Sequence, residues 1–173
     1  AHKIRQHWQQ HGQADKLILS YHGIPKRYLL NGDPYHCECY KTSRLIAEQL
    51  GLDETQYLTT FQSRFGREEW LKPYTDVTLK ALPAQGINSV QVFCPGFSAD
   101  CLETIEEIGE ENKAYFLHAG GKRYEYISAL NAEPQHIDAL CQLINENLQG
   151  WQVKTDTARA MRADTIKRQQ HGD

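Results

Sequence analysis

Long apolar runs are missing from this 173-residue sequence, since no hydrophobic stretch approaches the roughly 20 residues that a membrane-spanning helix needs. Positive charge is not in excess either, because 19 Lys and Arg stand against 22 Asp and Glu, which gives a formal net charge of -3. The sequence therefore offers no electrostatic basis for binding nucleic acid. Internal repeats and low-complexity tracts are lacking too. With 40% hydrophobic and 24% charged residues, the composition indicates one globular, soluble domain.

The cysteine pattern lacks the signs of a disulfide framework or a metal cluster. There are five cysteines, an odd number, at positions 37, 39, 94, 101 and 141. The pair at 37 and 39 is a Cys-x-Cys, whereas zinc sites usually use Cys-x-x-Cys. No four cysteines have a spacing typical of an iron–sulfur cluster. We therefore expect buried or inert thiols and a reducing, cytoplasmic location.

The first residues have no initiator methionine and have a helical pattern. Residues 1–10 read as the end of a helix, and Gly12 stands at the usual stop position. This pattern predicts a piece cut from a longer protein. We expect three parts: residues 1–15 as the end of a helix from a missing N-terminal portion, residues 16–150 as the folded domain, and residues 151–173 as a polar tail.

Strand and helix patterns alternate along the folded part. Short β-branched or aromatic runs at 16–21, 57–62, 89–94 and 124–128 predict four strands. Helical patterns at 37–50, 74–85, 100–117 and 134–148 lie between and after them. This order predicts an α/β fold, a doubly wound, four-stranded parallel sheet with flavodoxin-like strand order and flanking helices. In that order the first and third strands are neighbours, so the loops that follow them should face each other.

His22 is the residue with the clearest chemical potential. It follows an apolar strand and precedes Gly23 and Pro25, which interrupt regular structure. The carboxyl end of a parallel sheet is where ligands bind in open α/β folds. A histidine there can exchange protons near neutral pH or bind a transition metal.

Glu103, in the loop after the third strand, has two interpretations. In the first, it closes a capping box with Asp100, because it stands three residues further on. Alternatively it points into the crevice opposite His22, where a His–carboxylate pair could bind a divalent metal or move protons. Glu103, Glu107, Glu110 and Glu111 would share one helical face, which is usually a solvated surface but can also attract cations.

The loop after the second strand, residues 60–71, combines arginines with aromatic residues. It contains Arg64, Phe65, Arg67 and Trp70. Arginine pairs well with carboxylates, and aromatic rings suit a flat apolar ligand. The other interpretation is a loop that packs its own aromatic side chains, and the residues alone favour neither.

Six stretches in order along residues 16–148 together resemble the C-terminal half of the bacterial ferrochelatases. They read Leu-Ser-Tyr-His-Gly-Ile-Pro at 19–25, Gly-Asp-Pro-Tyr at 32–35, Thr-Phe-Gln-Ser-Arg-Phe-Gly-Arg at 60–67 with Trp70, Pro-Tyr-Thr-Asp at 73–76, Cys-Pro-Gly-Phe-Ser-Ala-Asp-Cys-Leu-Glu-Thr at 94–104, and Asn-Ala at 131–132. The first and the fifth are highly specific together. Residues 151–173 lie outside the resemblance.

The resemblance implies two similar α/β domains, of which this is the second, with a porphyrin cleft between them. It implies a lyase, a metal chelatase that inserts Fe²⁺ into protoporphyrin IX to form protohaem. His22 and Glu103 would be the catalytic and metal-binding residues, and Glu107 would lie on a route for metal or protons. We expect porphyrin contacts from Ser63, Arg64, Trp70 and Phe97.

The resemblance also guides the expectations about cofactors and partners. Cys101 stands where some relatives have a second histidine, which casts doubt on a third ligand there. Residues 151–173 contain no cysteine, so no [2Fe–2S] cluster is expected, and Fe²⁺ is a substrate rather than a bound cofactor. The expected partners are protoporphyrin IX, Fe²⁺, the missing N-terminal domain and a peripheral membrane contact.

Two other functions remain open at this level. One is a related chelatase that acts on another tetrapyrrole with another metal, because a fold does not determine its substrate. The other is a non-catalytic α/β ligand-binding module in which the histidine and glutamate are structural. With one wall of its cleft missing, the chain is expected to have little or no chelatase activity alone.

Overall fold

The computed structural model describes residues 1–151 of the chain. Residues 1–133 form one compact unit, and a second unit begins at Pro134. The first unit holds, in chain order, α1 (His2–His11), β1 (Lys16–His22), α2 (Lys26–Leu30), α3 (Tyr35–Leu50), β2 (Tyr57–Gln62), α4 (Thr75–Ala81), a 3₁₀ turn (Pro83–Gln85), β3 (Ser89–Phe93), a π-helix (Glu103–Asn112), α5 (Lys113–His118) and β4 (Arg123–Ile127). The described part of the second unit contains α6 (Pro134–Asn147).

The four strands form one sheet in the order β2-β1-β3-β4, and every neighbouring pair is parallel. The predicted α/β fold and strand order are therefore confirmed. The pattern located each strand to within one residue, because runs this apolar can be buried on both faces of a sheet. The short helix α2 was not predicted, since its five residues are too few to show a period.

Helices cover both faces of the sheet, and each face has its own hydrophobic core. Leu17 and Leu19 of β1 point to one side, where Ile4 of α1 and Cys39 of α3 pack against them. Ile18 points to the other side, where the core continues into the helical residues Leu79, Ile108 and Phe116. This alternation agrees with the period of two in a strand and confirms the doubly wound arrangement.

Buried polar contacts fasten α1 to the sheet. The Gln91 carboxamide on β3 accepts a hydrogen bond from Trp8 Nε1 at 2.7 Å and donates to the Gly12 carbonyl at 2.9 Å. It also donates to Glu125 at 2.7 Å. Burial alone would raise the pKa of Glu125, but hydrogen bonds from Arg123, Gln91 and His7 outweigh it and lower the pKa to about 2. Residues 1–15 therefore belong to the same compact unit as the sheet.

The tail predicted at residues 151–173 lies, apart from Trp151, outside the described residues. All five cysteines lie inside them, and all are free thiols. Cys39 and Cys94 are buried as expected, and burial raises the pKa of both thiols. Cys37 and Cys141 are exposed, and for these two the expectation of inert thiols stays a prediction.

Candidate active site

The carboxyl edge of the sheet brings the predicted loops together. β1 ends at His22, which is in register with Gln62 at the end of β2, and β3 runs on the other side of β1. The loop after β3 returns over this edge, so that the rings of His22 and Phe97 have centroids 6.3 Å apart. The prediction that the loops after β1 and β3 face each other is confirmed.

A cavity of about 410 Å³ opens at this edge. Its lining combines one imidazole, one guanidinium, four carboxylates, one hydroxyl and two apolar side chains: His22, Ser63, Arg64, Phe65, Leu102, Glu103, Glu106, Glu107 and Glu111. His22 and Glu103 therefore line the same cavity, as the sequence predicted. The excess of carboxylates gives the cavity a negative charge that attracts cations.

The ring of His22 is held in one tautomer. Its Nδ1 lies 2.7 Å from the carbonyl oxygen of Gly23. Because a carbonyl oxygen only accepts hydrogen bonds, Nδ1 carries the proton, and Nε2 of the neutral ring has the free lone pair. The backbone is also fixed, since the Tyr35 hydroxyl donates to the His22 carbonyl at 2.8 Å. His22 is thus prepared to accept a proton or to bind a metal through Nε2.

Gly23 is required by the close approach of β2 to the His22 loop. A Cβ at this position would lie 2.9 Å from the backbone oxygen of Gln62 and 3.2 Å from the Trp70 ring. We expect Gly23→Ala to destabilise the protein by about 1–3 kcal/mol, because the backbone oxygen has no room to move. Urea unfolding monitored by circular dichroism measures this change.

Gly96→Ala is the matched control on the facing loop. Its Cβ would meet only the Tyr21 ring at 3.5 Å, which is an ordinary contact distance. The control should change the free energy of unfolding by less than about 0.5 kcal/mol. Equal stabilities of the two variants would contradict the tight packing of the His22 loop on β2.

The acidic helix of the site is a π-helix rather than the α-helix predicted for residues 100–117. It spans Glu103–Asn112 and continues as α5. Because its hydrogen bonds run from residue i to i+5, the turns are wider than in an α-helix. Glu103, Glu107 and Glu111 line the cavity, whereas Glu110 lines a different cavity near α1. The prediction that all four glutamates share one face is therefore wrong for Glu110.

The capping box between Asp100 and Glu103 is also wrong. The Asp100 backbone N–H donates to Asn131 Oδ1 at 2.8 Å and not to Glu103. The Asp100 carboxylate accepts hydrogen bonds from the Tyr126 hydroxyl at 2.6 Å and the Ala129 backbone N–H at 3.0 Å. Asp100 therefore ties the loop after β3 to the end of β4, which leaves the Glu103 carboxylate to the cavity.

Glu103 is held in its ionised form. A hydrogen bond from the Cys101 thiol lowers the pKa of the Glu103 carboxyl, and a hydrogen bond from its own backbone N–H lowers it further. The His22 imidazole adds to this effect only when it has taken up a proton and carries charge. The start of the π-helix is fixed too, because Gln62 Nε2 donates to the Glu103 carbonyl at 2.8 Å. The imidazole and the carboxylate are thus an electrostatically matched pair.

The four residues predicted to contact porphyrin have different positions. Ser63 and Arg64 line the cavity, but the Arg64 guanidinium also forms a two-pronged ion pair with Asp76, with both N–O distances 3.0 Å. Trp70 is buried, and its Nε1 donates to the Phe65 carbonyl at 2.9 Å. The rings of Trp70 and Phe97 flank His22 at 6.4 and 6.3 Å between centroids. Their contact with a porphyrin stays a prediction.

The cavity also contains Phe65, for which the sequence left ligand contact and loop packing open. It contains three further residues that sequence reasoning did not assign to the site: Leu102, Glu106 and Glu111. Phe65 and Leu102 are large apolar residues with 74% and 65% of their surface exposed, and both line the cavity. Glu111 belongs to the acidic series that the sequence shows, whereas Glu106 lies outside that series. Their facing direction depends on the π-helical turn, which the sequence pattern does not show.

Residues 1–151 contain neither a preformed metal site nor a membrane-spanning helix. No three His, Cys, Asp or Glu side chains in this range converge closely enough to hold a metal ion by themselves. No helix in the same range is long and apolar enough to cross a membrane.

Fold and site together define a class of protein, an α/β domain with a cation-attracting cleft at the carboxyl edge of its sheet. A solved structure of a putative cobalamin (vitamin B12) biosynthesis CbiX protein from Marinobacter aquaeolei has a similar fold, with a TM-score of 0.51 and 16% sequence identity. The match covers 78% of this chain and 97% of that one. At this identity the likeness shows the fold alone.

The ferrochelatase family model matches residues 1–148. Curated ferrochelatases are similar over nearly the whole chain: that of Idiomarina loihiensis is 72% identical over 98% of this chain, and that of Pseudoalteromonas atlantica is 68% identical over 95%. The chain belongs to the ferrochelatase family. It spans about half the length of these curated relatives, 47% and 48% respectively.

Proposed function

We propose that this chain supplies the metal-side wall of a ferrochelatase active site, at which Fe²⁺ is inserted into protoporphyrin IX to form protohaem. The observation that carries the proposal is the pairing of His22, whose Nε2 has a free lone pair, with the ionised Glu103 in one acidic cavity. Membership of the ferrochelatase family supports the same reaction.

The reaction requires a proton acceptor and a path for a cation. As Fe²⁺ binds, the porphyrin loses its two pyrrole N–H protons, so that the dianionic ring balances the charge of the metal. His22 Nε2 either accepts a pyrrole proton or presents the metal ion, and one lone pair cannot serve both at once. The Glu103 carboxylate stabilises the positive charge in either role.

Glu107 extends the acidic lining away from the His22 pair. It lies one π-turn beyond Glu103 and lines the same cavity. We assign to it the relay of Fe²⁺ or of the released protons, because a row of carboxylates lowers the free energy of a cation along its path. The flanking rings of Trp70 and Phe97 and the exposed Phe65 supply apolar surface for a planar macrocycle.

The proposed partners follow from the openness of this wall. A second α/β domain, as long as the part of the relatives that this chain does not cover, would form the opposite wall of the porphyrin cleft. The exposed Phe65 and Leu102 at the cavity suit contact with a membrane surface that delivers an apolar porphyrin. We place the protein in the cytoplasm, where its free thiols stay reduced.

The test uses a full-length chimaera, in which the N-terminal half of the Idiomarina loihiensis relative precedes this chain. Zinc insertion into a porphyrin is followed by fluorescence. Glu103→Gln should lower the rate about 10- to 100-fold, which is the effect of losing a charged contact. Glu110→Gln, which changes the same residue type in a different cavity, should leave the rate within about twofold. A normal rate with Glu103→Gln would contradict the proposal.

A further inference from the structure

Ser63 has an unusual backbone conformation for a residue other than glycine. It follows directly after β2 and has φ of 63°, in the left-handed region that residues other than glycine rarely adopt. Such strained residues concentrate at functional sites, where surrounding contacts hold them in place. The contacts of Ser63 show what holds this conformation in place.

Both hydrogen-bond donors of Ser63, its backbone N–H and its hydroxyl, bind the same carboxylate. Its backbone N–H donates to Glu107 Oε1 at 2.7 Å, and its hydroxyl donates to Glu107 Oε2. Two donors on the two oxygens fix both the position and the plane of the carboxylate. The side chain of Ser63 is consequently already engaged before any porphyrin binds, which is a different job from the porphyrin contact expected from the sequence.

The residue before Ser63 holds the same helix one π-turn earlier. Gln62 is buried, and its Nε2 donates to the Glu103 carbonyl at 2.8 Å, while its Oε1 accepts from the Ser20 hydroxyl at 2.8 Å. Two successive residues at the end of β2 thus anchor two positions of the π-helix that are four residues apart. The end of the strand thus holds the backbone of Glu103 and the carboxylate of Glu107 in place.

We propose that Ser63 is a positioning residue that holds the Glu107 carboxylate in the cation path of the cavity. The inference rests on the function proposed above for this cavity, and it adds a residue whose effect passes through Glu107. If Ser63 acts through Glu107, removing the Ser63 hydroxyl should raise the KM for the metal ion and leave the KM for porphyrin unchanged. A direct porphyrin contact would do the reverse.

Three substitutions separate this role from a structural one. Ser63→Gly and Ser63→Ala both remove the hydroxyl, but only glycine relieves the left-handed conformation. Ser63→Asn tolerates that conformation and brings a side-chain N–H donor back toward Glu107. A purely structural role predicts that activity follows stability, with glycine at least as good as serine and alanine worse.

The experiment measures KM for Zn²⁺, KM for porphyrin and the thermal unfolding midpoint in the full-length chimaera. We expect Ser63→Gly and Ser63→Ala to raise the KM for Zn²⁺ equally, by about 10-fold, despite different midpoints. The KM for porphyrin should stay within about twofold, and Ser63→Asn should recover most of the loss. In a Glu107→Gln variant, the additional change Ser63→Gly should not raise the KM for Zn²⁺ any further, because Ser63 acts through the Glu107 carboxylate.

Several results would overturn the inference. A raised KM for porphyrin would return Ser63 to substrate contact, and a KM for Zn²⁺ that follows the midpoint would make its role structural. A fully additive double variant would uncouple Ser63 from Glu107. If Glu103→Gln is impaired while Ser63→Gly and Glu107→Gln are normal, the inference fails alone; if all three are normal, the proposed function fails as well.

Discussion

His22→Ala should lower zinc insertion by the full-length chimaera by about 10²–10⁴-fold, the range that a positioned acid–base group contributes. The variant loses the Nε2 lone pair and an imidazole ring that lines the cavity near the rings of Trp70 and Phe97. Because His22 is only partly buried, the folded state should survive the change. Single-turnover fluorescence measures the loss without interference from product release.

His118→Ala is the matched control for this experiment. His118 also has its Nδ1 against a backbone carbonyl, that of Ala114 at 2.7 Å, but it lies on the exposed end of α5. This variant should retain the normal rate. A His22→Ala rate within about threefold of the parent chimaera would exclude His22 as proton acceptor and as metal ligand.

The second large effect is the dependence of activity on the other half of the relatives. The chain alone should insert metal more than about 100-fold more slowly than the chimaera, because it supplies one wall of the cleft and cannot enclose or bend the macrocycle. Its own described residues line an open cavity rather than an enclosed pocket. The comparison uses equal concentrations of the chain and the chimaera in the same fluorescence assay.

Addition of the separate N-terminal half of the Idiomarina loihiensis relative should restore part of the activity of the chain, in proportion to complex formation. The same half alone, or mixed with the chain carrying His22→Ala, should remain inactive. Turnover by the isolated chain equal to that of the chimaera would contradict a cleft built from two walls.

Much of the fold could be predicted because its signals are local and strong. The apolar runs that became β1 and β3 are buried on both sides, and such runs have few other uses in a chain of this composition. The placement of His22 followed from the rule for parallel sheets rather than from any contact. Helix α2 was not predicted, because its five residues are too few to show a helical period of apolar side chains.

The details of the site depended on interactions that a sequence pattern does not encode. The spacing of the buried residues Thr104 and Ile108 fits an α-helix as well as a π-helix, so the position of Glu110 was predicted wrongly. The capping box failed because Asn131, far along the chain, competes for the Asp100 amide. Ser63 was expected to contact substrate, since nothing in the sequence announces its left-handed backbone or its bonds to Glu107.

The central claim is that neutral His22 presents an unprotonated Nε2 to the cavity beside Glu103, where it is free for a pyrrole proton or for a metal ion. Imidazole ¹⁵N NMR of the full-length chimaera, recorded with and without Zn²⁺, tests it directly. The account predicts that neutral His22 is the Nδ1–H tautomer, and that Zn²⁺ shifts the Nε2 resonance while Nδ1 stays protonated. The shift should require more Zn²⁺ with Glu103→Gln. An Nε2–H tautomer would contradict the account, and an Nε2 resonance that does not respond to Zn²⁺ would exclude the role of metal ligand.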